Sequence, residues 1–306
     1  MFTYIFCKGV ISLQSNDKLL QLNLLVLRNG FLDKYQLDSR HYILSGLLGE
    51  ALFSDFVSRY GHKSWAIYSD YWFNYGKRMQ ADFLLVTSER WLVVEVKHYD
   101  GRFEYKGNEC YLNDKLMDDN YLLAMDLRVK KIRHMAQELN QDIVVEGLFV
   151  FIHENSEAKV HLDYALDFDV KLRNELKGFL SQLKRTDNRQ LSDGHLRKVD
   201  AVLDKYRVKN PFLPKPIKQE DWAGLTKGIN CCTCDSFDLA YRHKTVICND
   251  CGAIERKDAA ILRMAEQVRI LFYGEDYAVT GARVYELCDK RISINAIHKV
   301  LRDSRK

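Results

Sequence analysis

The sequence predicts an α/β fold: a mixed sheet flanked by helices, followed by a small cysteine-rich module and a helical tail. Three observations predict it. Apolar patterns in the first half run helix, several strands, helix, strand, the element order of a mixed α/β domain. All three prolines of the 306-residue chain fall within NPFLPKP at 210–216. Proline fixes φ and removes a donor, so that stretch reads as a stiff linker and a domain boundary. Five of the eight cysteines cluster between Cys231 and Cys251, which in a chain without a secretory leader suits metal ligation better than a disulfide framework.

Residues 1–42 read as an N-terminal extension, helical in DKLLQLNLLVLRNGFLDKYQ. The opening MFTYIFCKGV has no basic leader region and is broken by Lys8, so a signal peptide is not expected. No run approaches the about 18 apolar residues of a membrane span. The expectation is a cytoplasmic protein with no membrane partner and with Cys7, Cys110 and Cys288 as reduced thiols. Residues 43–155 carry the α/β domain. SGLLGEALFSDFVSRYG puts Leu48, Leu52, Phe56 and Val57 roughly on one helical face, with Gly61 as the stop. SWAIYSDYWF, ADFLLV and RWLVVEVKHY read as strands, NYLLAMDLRVKKIRHMAQELN as an amphipathic helix and DIVVEGLFVFIH as a buried strand. Residues 156–208 read as a charged helical segment, 209–219 as the linker, 220–257 as the zinc module and 258–306 as helices.

Charge is uneven along the chain. The net value is +4, yet from Lys205 onward 19 Lys and Arg face 13 Asp and Glu, against 27 and 29 before it. A basic C-terminal third suits a segment that meets phosphates, although a solvated basic face has the same composition.

One hairpin stands out. In ADFLLVTSERWLVVEVKHYDG, two apolar strand runs are bounded by Asp82, Glu95 and Lys97. With Thr87–Arg90 as a four-residue loop, Val86 faces Trp91, and counting back in pairs sets Asp82 opposite Glu95. Side chains alternate along a strand, so Asp82, Glu95 and Lys97 share one face. Opposed residues have Cβ atoms about 5 Å apart, where like charges destabilise the pair. A divalent cation held between the two acids removes that penalty, and Mg²⁺ binds through one or two carboxylates plus water and substrate phosphate. Lys97, two residues on, can reach a metal-bound water or a phosphate oxygen. The set suits phosphodiester hydrolysis. The plain alternative is a surface ion pair at a strand end, worth little. Gln80 faces the same way as Asp82 and can contact DNA or the nucleophilic water, or simply end the strand.

LLGE on a helix, ADFLLV, a short turn, WLVVEVKHYDG and the following amphipathic helix resemble the nuclease-related domain (NERD) family of the PD-(D/E)xK nucleases, over Ile43 to His153. The resemblance implies a restriction-endonuclease-like fold and Mg²⁺- or Mn²⁺-dependent cleavage. Asp82 matches the metal-binding acid, Glu95 the second acid, Lys97 the lysine and Glu50 the acid of the first helix. The chain departs from the family at His98, where asparagine is usual, and at Asn120-Tyr121, where Asn-Pro is common. The glutamine that generally follows has no counterpart either. His98 faces away from Lys97 and reads as structural.

Downstream, Cys231-x-x-Cys234 and Cys248-x-x-Cys251 lie thirteen residues apart, with Gly252 after the second pair. Two such knuckles present four thiolates to one tetrahedral Zn²⁺, the pattern of a zinc ribbon. Cys232 can replace Cys231, though the C-x-x-C spacing favours Cys231. Four thiolates close the coordination sphere, so this zinc is structural. Then DAAILRMAEQVRILFYG, TGARVYELCD and SINAIHKVLRDS suggest three helices with Ser293 as an N-cap. Val284, Leu287, Ile294, Ile297 and Leu301 can form a core. Asn295, His298, Lys299 and Arg302 then lie on the outer face of the last helix, as in a helix-turn-helix or an ordinary helical cap.

Three functions fit. One is a Mg²⁺-dependent nuclease acting on nucleic acid, above all DNA, in DNA processing or defence. The second is a non-catalytic DNA-binding or regulatory protein using the ribbon and C-terminal helices. The third is a scaffold for protein partners. Retention of Lys97 separates the first from the second, and salt-sensitive DNA binding separates both from the third.

Overall fold

A five-stranded mixed sheet organises the first of two units in the computed structural model, which describes residues 16–139, 143–161 and 166–304. By contacts the described residues divide into those of 44–211, and those of 16–43 with 212–304. The second break falls inside the proline stretch. Lys8 and Cys7, on which the leader and thiol expectations rest in part, lie outside the described residues.

The first half of the chain forms α1 (Asp17–Leu27), α2 (Lys34–Tyr60), β1 (Ala66–Asn74), β2 (Arg78–Val86), β3 (Arg90–Lys97), β4 (Gly101–Lys106), β5 (Glu109–Leu112), β6 (Lys115–Leu116) and α3 (Tyr121–Ala136). Then follow β7 (Val144–Phe151), β8 (Ser156–Val160), β9 (Phe168–Leu172), α4 (Arg173–Thr186) and α5 (Asp193–Tyr206). The second unit adds α6 (Gln219–Gly224), β10 (Leu239–Tyr241), β11 (Thr245–Cys248), β12 (Ile254–Arg256), α7 (Lys257–Leu271), α8 (Gly281–Leu287) and α9 (Ile294–Asp303).

The main sheet runs β1-β2-β3-β7-β9. Its first three strands are antiparallel, and β7 and β9 join in parallel. Helix α3 makes the crossover from β3 to β7. Central strands carry continuous apolar runs because both faces are covered. On one face Leu84, Val86, Trp91, Val93, Phe149 and Phe151 pack with Leu122, Met125, Val129 and Ile132 of α3 and Val199 and Leu203 of α5. On the other, Phe83, Leu85, Leu92, Val94, Leu148 and Val150 pack with Phe53 and Val57 of α2 and Leu176, Leu180 and Leu183 of α4.

The hairpin keeps the register expected from sequence, pairing Val86 with Trp91 and Phe83 with Val94. It closes one pair tighter, since the Thr87 N–H donates to the Arg90 carbonyl at 2.9 Å and leaves Ser88 and Glu89 at the tip. Buried Asp187 clamps that tip, accepting from Arg90 Nε and Thr87 Oγ1 at 2.7 Å each. Burial pushes the Asp187 carboxyl up, but the hydrogen bonds from Arg90, Thr186 and Thr87 outweigh it and hold the group below its ordinary value.

Two differences from the sequence reading concern strands. Residues 156–172, expected to be helical, supply β8 and β9, and only α4 and α5 beyond them are helices. Residues 101–116 form hairpins of a four-stranded sheet, β6-β5-β4-β8. Its turns are Gly107-Asn108 and Asn113-Asp114, all with positive φ between 50° and 64°, the tight hairpin geometry that Gly, Asn and Asp tolerate best.

In the second unit, α1 packs with α7, and α7, α8 and α9 pack against one another. The described part of the N-terminal extension expected over 1–42, from residue 16 on, thus clusters with the C-terminal third. Their tether is polar. Fully buried Arg28 donates to Gln267 Oε1 at 2.7 Å and to the Thr226 carbonyl at 2.8 Å, and Gln267 donates on to Asn230 Oδ1 at 3.0 Å. Gln21 reaches the carbonyls of Lys215, Ile270 and Leu271. Val284, Leu287 and Ile297 are fully buried and Leu301 partly packed, with Leu25, Met264 and Val268. Ile294 is half-buried, at the start of its helix. Among the described residues, no helix is long and apolar enough to cross a membrane.

Candidate nuclease site and metal-ligating cysteines

The sheet sets the acids in a row. Extending the β2–β3 register by one pair places Asp82 opposite Glu95, on the face that carries Leu84 and Val93 and is covered by α3. Asp82 Oδ2 accepts the Val96 N–H at 2.8 Å, a strand hydrogen bond taken over by a side chain. Buried Glu95 is held from two sides: Lys97 Nζ lies 2.7 Å from Oε1, and Arg128 Nη1 of α3 lies 2.7 Å from Oε2. The Lys97 ammonium also sits 4.4 Å from the centre of the Tyr121 ring, in cation–π contact.

Glu50 arrives on α2, whose Phe53 and Val57 cover the opposite face. Gly49 permits the approach: a Cβ there would lie 3.0 Å from His98 Cβ, 3.4 Å from Ile152 and 3.5 Å from Val96. His98 faces this side, with Nδ1 3.2 Å from Ser45 Oγ. Its pKa is lowered by burial, then by His153 and Arg173.

Electrostatics mark the cluster. Burial, then the neighbouring charge of Glu95, pushes the Asp82 carboxyl up to about 7. Burial, then Asp82, Asp70 and Glu95, pushes Glu50 up to about 8. Glu95 goes the other way: burial would raise it, but Lys97 and Arg128 together hold it below its ordinary value. Burial works against the Lys97 ammonium, yet Glu95, Tyr99 and Asp82 keep its proton on. Lys97 is therefore a cation here, suited to neutralising charge rather than to taking a proton.

Sequence reasoning missed Asp70 and Arg128. Asp70 interrupts β1 with φ of 49°. Its flanking pairs, Ser69 with Phe83 and Tyr71 with Ala81, set it across from Asp82. The signal was a lone carboxylate inside the strand run SWAIYSDYWF. Asp70 Oδ1 accepts from Gln80 Nε2 at 2.8 Å and from Trp72 Nε1 at 2.7 Å, so half-buried Gln80 is held by Asp70. Nothing in the helical pattern of α3 distinguishes Arg128 from Lys130, Lys131 or Arg133.

Asp82 and Glu50, both with raised pKa values beside Glu95, are hard oxygen donors of the kind a divalent cation takes, and a cation would relieve their repulsion. They are not drawn together as tightly as the sulfurs of the second unit. Among the described residues, the group of ligand atoms lying within 4.8 Å of one another is Cys231, Cys234, Cys248 and Cys251. Cys231 and Cys251 Sγ lie 3.6 Å apart, as do Cys234 and Cys248 Sγ. Tetrahedral Zn²⁺ with Zn–S bonds of about 2.3 Å needs sulfurs about 3.8 Å apart, so the residues fit a zinc ribbon. Cys231, not Cys232, belongs to the set, and exposed Cys232 instead lies beside Thr233 Oγ1. Gly252 turns the second knuckle with φ of 72°.

On α9, Asn295, His298, Lys299 and Arg302 are all exposed, and the Ser293 hydroxyl caps the helix by accepting the Ala296 N–H. The His298 ring packs on Gly281 of α8, where a Cβ would collide with it.

The mixed sheet, the helix bearing Glu50 and the acids across β2 and β3 all fall in one stretch of the chain. Residues 45–152 match the family model of the nuclease-related domain (NERD). Over that third of the chain the protein is similar to nuclease-related domains, and its C-terminal region holds a four-cysteine cluster compatible with a zinc ribbon. No curated protein and no solved structure matches it.

Proposed function

We propose that the protein is a divalent-metal-dependent nuclease that hydrolyses phosphodiester bonds of DNA, in DNA processing or defence. One observation carries the reading: Asp82 and Glu95 flank the last β2–β3 pair, Phe83 with Val94, on one face of the sheet, and Lys97, two residues on, is salt-bridged to Glu95. Asp82 and Glu95 would hold Mg²⁺ or Mn²⁺, with Glu50 beside them. The ion supplies an acidified water and neutralises charge that develops on the phosphate. Lys97, kept protonated by Glu95, faces the same oxygens and stabilises that charge. Gln80 lines the approach. Cys231, Cys234, Cys248 and Cys251 would hold a structural Zn²⁺, leaving no open position for chemistry. Exposed Asn295, His298, Lys299 and Arg302 present a polar, basic helix face to the duplex.

The test is incubation of the purified protein with plasmid, linear and single-stranded DNA, with and without Mg²⁺ or Mn²⁺. Cleavage that requires the ion and is lost in Asp82→Ala and in Lys97→Ala supports the reading. Equal cleavage by those variants ends it. DNA retention without cleavage, weakening steeply with salt, would favour a non-catalytic DNA-binding protein instead.

A further inference from the structure

Arg128 has no part in the chemistry so far, yet it points into it. Among the cations of α3, Lys130 pairs with Asp126, Arg133 with Asp167, and Lys131 lies over the Tyr75 ring. Arg128 alone of these four turns to the carboxylates, with Nη1 2.7 Å from Glu95 Oε2 and a side chain only 12% exposed. Its other contact from Nη1 is soft, 3.7 Å to the Met125 sulfur. Its Nε is buried and finds no hydrogen-bond partner among the described residues. A guanidinium is a rigid fork built for two parallel hydrogen bonds to a carboxylate or a phosphate. Here the fork is used on one prong, and an unmet buried donor is costly. Glu95 shows the complementary feature: each of its oxygens already accepts from a cation, and two positive charges so close oppose the arrival of a divalent ion until one of them withdraws. Lys97 approaches from the same strand and is backed by Tyr121. Arg128 approaches from a neighbouring helix on a long side chain, so it can leave without disturbing β3.

We propose that Arg128 is an exchangeable cation: it holds Glu95 in the metal-free protein and passes to a non-bridging oxygen of the substrate phosphodiester when Glu95 takes up the divalent ion. Its Nε and Nη groups then have the two-pronged acceptor that the metal-free site denies them. The proposal rests on the metal-site reading above and adds a substrate-binding residue that lies outside the Asp82–Glu95–Lys97 set. It sets metal affinity and cleavage against each other at one side chain.

The experiment measures Mn²⁺ binding by calorimetry in the absence of DNA, and single-turnover cleavage at saturating Mn²⁺, for Arg128→Gln and Arg128→Lys. Arg128→Gln removes the competing charge and is expected to bind Mn²⁺ about tenfold tighter, while cleaving about 100-fold more slowly. Arg128→Lys keeps a cation without the fork, so it should bind Mn²⁺ much as the parent does and cleave more slowly. A purely structural ion pair predicts the reverse for Arg128→Gln: a lower melting temperature with Mn²⁺ affinity unchanged or weaker. That result overturns the proposal, as does undiminished cleavage. Asp82→Asn separates the two levels. If it leaves Mn²⁺ affinity unchanged, the metal site and Arg128's role fall together. If it abolishes binding while Arg128→Gln binds no tighter, only the role of Arg128 falls.

Discussion

Asp82 and Glu50 hold their protons more tightly in the folded chain than in the unfolded one, with pKa values pushed up to about 7 and about 8. The sign of the linkage follows. A raised folded-state pKa gives stability that is complete below the unfolded value, near 4, and is lost as pH rises through the folded value. The metal-free protein should therefore lose melting temperature between pH 4 and about 8 from these two groups. Asp82→Asn and Glu50→Gln should each melt higher than the parent at pH 8 without metal while failing to cleave. Added Mg²⁺ should raise the parent's melting point at pH 8 and leave Asp82→Asn unmoved, as scanning calorimetry would show. Destabilisation by Asp82→Asn at pH 8 would contradict the repulsion. Asp187 makes the contrast, because its lowered pKa gives stability that is present at neutral pH and lost on acidification. Asp187→Ala removes a partner from buried Thr87 and half-buried Arg90 and should cost about 2–4 kcal/mol in denaturant unfolding. At this scale the sequence was legible where charge interrupts an apolar run, as at Asp82 and Glu95. It was not legible at Arg128 or Asp187, whose partners lie 33 and 97 residues away.

Elements were legible where local pattern and burial agree. The β2–β3 register could be read because a one-residue slip turns every side chain to the wrong face. The helices α3, α7, α8 and α9 follow from apolar periodicity, and α9 also from its Ser293 cap. The β8–β9 region was misread because short half-exposed strands such as SEAKV and FDVKL have too few buried positions to show a period of two. Their strand character comes from parallel pairing with β4 and β7. The β4–β5 and β5–β6 turns were there to be read in Gly107-Asn108 and Asn113-Asp114. Two glycines set how closely helices approach the sheet. A Cβ on Gly147 would lie 2.5 Å from Phe168 Cβ and 2.7 Å from Met125 Cε, so Gly147→Ala must push β7, β9 and α3 apart and should cost about 1–3 kcal/mol. Gly49→Val is milder in space but displaces the helix turn that carries Glu50. It should keep most of the fold, measured by circular dichroism, and weaken Mn²⁺ binding.

For the molecule as a whole, the proline stretch announced the boundary, but not that α1 crosses it. That docking needs hydrogen bonds from Gln21 and Arg28 to residues nearly 200 or more positions away, which no local pattern reveals. None of the three apolar clusters mixes described residues of the two units. Each unit therefore has its own source of stability, and the zinc cysteines belong to the second. Asn230 precedes Cys231 and accepts from both Gln267 and Arg263, and Gln267 in turn binds Arg28. The first cysteine knuckle is thereby tied to α7 and to α1. Zinc binding at such a site is folding energy, because the thiolates repel and the loops have few apolar contacts of their own. Chelation, or Cys248→Ser, should therefore unfold the second unit, α1 included, rather than the ribbon alone. Calorimetry of the full chain should show one transition moving down by more than 10 °C while the transition of the nuclease-related unit stays within about 2 °C. Hydrogen exchange should show loss of protection in α1 and α7 together. If protection is lost in β10–β12 while α1 stays protected, the buried Arg28–Gln267–Asn230 chain does not transmit the state of the metal site.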